Sequence, residues 1–432
     1  MSTPATRPTK RISWVYAILP ISTALGPVGV FVQLYLLKLN GLEAGTVYIA
    51  IAVTAFNAVS IPAAVIWGVV TDRLHKRKVI IVSSYLLTTA FLLSFLFTNT
   101  TTGVIAVYSL VSFISSATAT PLDLLIMETE PKNRWATGFA KLSLVSSVGN
   151  TLGYVISSLW VQFLPAQWLM IPLGVLSLIS VIMSVILIEE PPYVFEREVI
   201  ARQRPLTQRL AAFPLIFLKF PNLYDFRSIF KGLRNELTSY VPMLYISLIL
   251  FYLGSGVFNT SLVPSLTSHS LSGSDVYAII VVALVAQILA FRFAGQYITG
   301  ERSLAMIATQ SVILRGSCYA LLGVASVAFA GVSFLIPSLV LYTMAAGVGY
   351  GIYYTASNTM VFNSIGGRNH GSSLGVYSAV VGISSTIGSL VSGITSHYLG
   401  FDVTFLLAGG ILIVSALITL RLARNHSQPA SN

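Results

Sequence analysis

Long apolar blocks alternate along this chain with short polar interruptions. The blocks are too long for strands and too evenly apolar for helices that wet one face. Each comes close to the ~20 residues a helix needs to cross ~30 Å of hydrocarbon. Twelve are predicted, at 14–37, 46–70, 79–98, 104–128, 136–160, 169–188, 238–262, 274–298, 304–324, 332–360, 371–396 and 402–420. The longest polar interruption divides them six and six. The pattern predicts an all-α polytopic membrane protein: a six-helix bundle over 1–188, a cytoplasmic central linker over 189–237, and a second six-helix bundle with its tail over 238–432.

Composition agrees with this reading. Of 432 residues, 55% are hydrophobic and 9% charged, against roughly 25% charged in soluble domains, too few to keep a soluble surface wet. A net charge of +11 raises the question of a nucleic-acid partner. The placement of the charge answers it. Of 25 Lys and Arg, 21 fall in the tails, the central linker and the loops that an even number of spans puts on the same side; the opposite loops carry only Lys38. By the positive-inside rule both termini and the linker are expected in the cytoplasm, and the basic loops also attract anionic lipid headgroups. The expected setting is a multi-pass protein of a prokaryotic plasma membrane. The partners expected are the bilayer and a small molecule, not nucleic acid, with the chain a monomer. Cys318 stands alone and no Cys/His spacing suggests a metal, so no cofactor is expected. With no Walker loop or zinc-hydrolase pair in the sequence, an enzyme is not expected either.

The two halves echo one another. IPAAVIWGVVTDR at the end of span 2 has a degraded counterpart, ILAFRFAGQYITGER, at the end of span 8, with Thr299 where Asp72 stands in the first copy. PKNRWATGFA before span 5 and GGRNHGSSLG before span 11 form a second echo. Twelve spans, a six-plus-six split and the pattern Gly-x-x-x-Asp-Arg-x-x-x-Arg-Lys between spans 2 and 3 resemble the major facilitator superfamily. The resemblance implies two bundles rocking around a central site in alternating access. It also implies a conformational latch at Gly68, Asp72, Arg73 and Arg77. Gly68 would let span 2 approach the Gly/Ser-rich span 11 closely. Asp72, one helical turn on, would face the N-terminal end of span 11, where a helix dipole favours an anion. Arg73 and Arg77 would bind a carboxylate near the end of span 4, with Asp123, Glu128 and Glu130 as candidates.

An ionisable residue inside a span is costly and therefore a functional candidate. Asp123 is the one acid inside a span rather than at its end, and any proton coupling would fall to it. The cations within spans are Lys38, Lys141, Arg292 and Arg315; Lys38 can snorkel to the outer surface. In the superfamily pattern spans 3, 6, 9 and 12 are peripheral. That favours Arg292 and Lys141 as cavity residues and makes Arg315, in span 9, structural. A guanidinium suits a carboxylate through two parallel hydrogen bonds, and the resemblance adds that carriers of small carboxylates commonly use an arginine in span 8. In span 10, Tyr350, Tyr354 and Asn358 share one helical face and form a stripe able to stack on and hydrogen-bond a small cargo. Gln33, Asn57, Asn150, Asn259 and Gln287 read more readily as interhelical hydrogen bonds. The expected function is secondary or facilitated transport of a small organic anion by alternating access, with symport as the expected mode. The alternatives are export of amphipathic, drug-like compounds, or a non-transporting receptor on the same fold.

Overall fold

The computed structural model describes residues 13–74, 76–129, 135–189, 240–298, 304–364 and 370–425. The central linker, apart from its first residue, lies outside these. The described residues are helical, with no strand among them.

The membrane spans follow the apolar blocks. Ten stretches are long and apolar enough to cross a membrane among the residues searched. One of them, Trp14–Gly68, holds two passes, because the helix Val28–Leu74 breaks at Gly41. There φ is 73°, a left-handed conformation that glycine adopts without the Cβ clash other residues meet. A further 29-residue helix, His370–Tyr398, forms span 11. The arrangement is consistent with twelve passes in two six-helix pseudo-repeats. Three spans depart from a simple helix, span 4 through a 3₁₀ turn, Ser116–Thr118, between Thr101–Ser115 and Ala119–Thr129. Span 1 is interrupted at Gly26 and Pro27, between Ile18–Leu25 and Val28–Leu74, because proline removes a backbone donor and crowds the preceding turn. Span 10 runs as Leu335–Tyr342, a π-helical segment Thr343–Gly349, and Tyr350–Ser364.

Each bundle is held by close packing and by hydroxyls bonding across helices, the forces left to helices already immersed in lipid. In the first half, span 5 lies so close to span 1 that a Cβ at Gly153 would collide with the carbonyl of Thr23. Ser84 donates to the carbonyl of Ile114 (2.7 Å), and Ser112 to that of Phe56 (2.7 Å). In the second half, Ser247 meets Thr419 at 2.6 Å, and Ser261 meets Ser392 at 2.5 Å. Large apolar side chains such as Leu86, Ile182 and Leu417 remain exposed on the outside of the bundles, as a lipid-facing surface requires.

The described contacts between the halves include the end opposite the basic loops. Span 11 packs on span 2, and span 8 on span 5. Near this end, Gln162 donates to the Ser274 hydroxyl (2.9 Å) and the hydroxyls of Ser158 and Ser274 lie 3.1 Å apart. Deeper in, Asn57 reaches Ser389 at 3.4 Å.

Candidate substrate site

Between the halves lies a cavity of about 390 Å³. Spans 1, 2 and 4 contribute Gln33, Asn57 and Tyr108 from the first half. Spans 7, 8, 9, 10 and 11 contribute Asn259, Gln287, Arg315, Tyr350 and Ser385, among others, from the second. Among the described lining residues none is Asp or Glu.

Among the described lining residues Arg315 is the charged one, and its surroundings are unusual. The residue is 3% exposed, and its Nε and Nη1 meet no hydrogen-bond partner in the protein. It makes no ion pair among the described residues. Instead its guanidinium carbon stands 5.2 Å from the ring centre of Phe251, 5.2 Å from that of Tyr319 and 5.0 Å from that of Tyr350. Ring faces attract a cation through their quadrupole without offering a hydrogen-bond acceptor. The sequence creates this setting locally. A Cβ at Gly349 would come within 3.3 Å of the Arg315 Cβ, so the glycine lets span 10 lie against span 9 at the arginine's root. The π-helical turn containing that glycine is flanked by Tyr342 and Tyr350, both of which line the cavity.

Arg315, expected to be structural, lines the cavity. Its span is peripheral in the expected pattern, but a long side chain beside a glycine reaches the centre. The expectation for Arg292 is corrected in the opposite direction: it is exposed, near the basic end of span 8, and does not line the cavity. Lys141 is not among the lining residues either; its ammonium stands 4.8 Å from the ring centre of Tyr16, and it makes no ion pair with Asp123. Asp123 is exposed and outside the cavity. In the span 10 stripe, Tyr350 lines the cavity, and Tyr354 stacks on it at 5.6 Å while meeting Phe291 edge-on at 5.9 Å. Asn358 lies two turns beyond Tyr350, away from the lining. Of the five amides read as interhelical contacts, Gln33, Asn57, Asn259 and Gln287 all line the cavity.

At the basic end, Arg77 Nη2 lies 2.5 Å from Glu128 Oε1, joining the start of span 3 to the end of span 4. The side chains of Asp72 and Arg73 lie outside the described residues, as does Glu130. Among the described residues, a Cβ at Gly68 would meet nothing within 4 Å; the side chains of residues 370–379, at the facing end of span 11, lie outside the described residues.

The comparisons agree with this architecture. The model of the Major Facilitator Superfamily matches residues 13–336 and 244–432. The fold is similar to that of the nucleoside transporter NupG (16% identity, 95% of this chain and 100% of that one, TM-score 0.66). It is also similar to the human organic anion transporter MFSD10 (14%, 96% and 100%, TM-score 0.62). A third similar structure is the xylose transporter XylE from E. coli in a partially occluded inward open conformation (13%, 96% and 100%, TM-score 0.63). No curated protein matches the chain by sequence.

Proposed function

The chain belongs to the major facilitator superfamily, and on that premise we propose that it carries a small organic anion, with Arg315 holding the anionic group. The family makes it a membrane transporter rather than an enzyme. The observation that supports an anion is the buried guanidinium with no counter-charge among the described residues, in a cavity between the halves. A buried charge is costly to leave uncompensated, and a carboxylate is the partner whose two oxygens match two parallel guanidinium donors. A cargo bound between the halves also suits alternating access: rocking the bundles exposes one cavity to each side in turn.

The basic end is the cytoplasmic one in this reading, and the protein sits in the plasma membrane as a monomer with both termini inside. The conformation described then faces the cytoplasm. The latch of Gly68, Asp72, Arg73 and Arg77 would close in the opposite conformation, when the basic ends of spans 2 and 11 come together. Proton coupling, if the cycle uses it, falls to Asp123.

The test is thermal stabilisation of the purified protein by carboxylates, sugars and cationic dyes, followed by uptake into proteoliposomes. Carboxylates are expected to raise the melting temperature, and Arg315→Gln to abolish both that rise and the uptake. Stabilisation by sugars or dyes alone, or a carboxylate effect undiminished in Arg315→Gln, would overturn the reading.

A further inference from the structure

Arg315 is not the sole unsatisfied group facing the cavity. Gln33, on span 1, is 8% exposed and its Oε1 meets no hydrogen-bond partner in the protein. The two residues belong to different halves, and both line the same space. Their hydrogen-bonding senses are opposite: Arg315 can only donate, whereas the amide oxygen accepts. Groups left unpaired on burial are costly, so a ligand that completes both is favoured over one that completes either.

Charge narrows the class further. An ammonium placed near Gln33 would find a neutral amide, and no Asp or Glu among the described lining residues would balance it. An uncharged donor carries no such penalty. We infer that the cargo is an anion bearing an uncharged hydrogen-bond donor at its far end, a hydroxyl or amide N–H rather than an ammonium, held by Arg315 of one half and Gln33 of the other. This rests on the anion reading above and adds a second point of recognition to it. Such a ligand bridges the bundles, so its binding stabilises the state in which both halves close on it.

The experiment measures binding of three matched series to the purified full chain: straight-chain omega-hydroxycarboxylates, plain alkanoates and omega-aminocarboxylates, each over the same graded lengths. At one length the hydroxycarboxylate is expected to bind about tenfold more tightly than the alkanoate, the size of one good hydrogen bond. The aminocarboxylate is expected to be the weakest. Gln33→Leu should erase the preference for the hydroxyl while keeping alkanoate binding. Gln33→Glu should move the preference to the aminocarboxylates, a change in selectivity that lost packing would not produce. Equal binding of hydroxycarboxylates and alkanoates at every length, or a hydroxyl preference unchanged in both Gln33 variants, overturns the inference and leaves the anion reading standing. No binding by any of the three series, with Arg315→Gln behaving as the parent, overturns both.

Discussion

Arg77 and Glu128 form an ion pair of 2.5 Å between the start of span 3 and the end of span 4. It lies within the first half, so it braces that bundle on its basic face and does not itself join the two halves. Their side chains are 11% and 29% exposed, so the pair is partly sheltered from water. A double-mutant cycle of Arg77→Ala and Glu128→Gln should give a coupling of about 1 kcal/mol, at the upper end for pairs near a surface. The coupling should shrink as salt is raised; melting temperatures in low and high salt measure it.

Arg315→Met should separate stability from binding. It removes a buried charge whose Nε and Nη1 meet no hydrogen-bond partner in the protein and replaces it with an apolar chain of similar length. The empty protein is expected to melt at a higher temperature, because replacing buried charges by apolar groups is often stabilising, and to lose its response to carboxylates. Arg292→Gln is expected to leave both quantities near those of the parent, since Arg292 is exposed and outside the cavity.

Gly153→Val should destabilise the first bundle. The added side chain would meet the Thr23 carbonyl, and spans 1 and 5 would have to move apart. Overpacking typically costs about 1–3 kcal/mol, and backbone contact places this site at the upper end. Thermal melting in detergent checks it; a melting temperature equal to the parent's would mean that the two helices separate freely.

The end opposite the basic loops can be pinned shut. The Ser158 and Ser274 hydroxyls are 3.1 Å apart across the halves, so Ser158→Cys and Ser274→Cys together should form a disulfide on mild oxidation. The native Cys318 is buried and will not compete. Uptake should stop on oxidation and return with reductant. Transport that continues in fully cross-linked protein would show that this end does not open during the cycle.

The fold was legible because lipid imposes so strict a rule on sequence. A run of ~20 apolar residues has few other uses, and the linker's charges mark the six-plus-six division. Span 1 breaks at Gly26 and Pro27, and the π-helical turn of span 10 contains Gly347 and Gly349. The site was less legible. Arg292 was favoured by its span number, yet its height in the span, near the basic end, keeps it out of the cavity. Arg315 was set aside for the opposite reason. Which span a residue occupies says nothing about how far its side chain reaches, and Gly349 allows that reach. The available signal was depth: Arg315 is the cation nearest the middle of any span. The amides were legible as polar residues in lipid, but whether each faces a neighbour or a cavity depends on helix rotation, which the sequence of one chain leaves open.

The ring cage around Arg315 has an electrical consequence. Phe251, Tyr319 and Tyr350 hold the cation without cancelling its charge. In a carrier that works as proposed, the empty site bears one positive charge and the site loaded with a monoanion bears none. Membrane voltage, worth about 2.3 kcal/mol per charge per 100 mV, would then act on the return of the empty protein and leave the loaded crossing almost untouched.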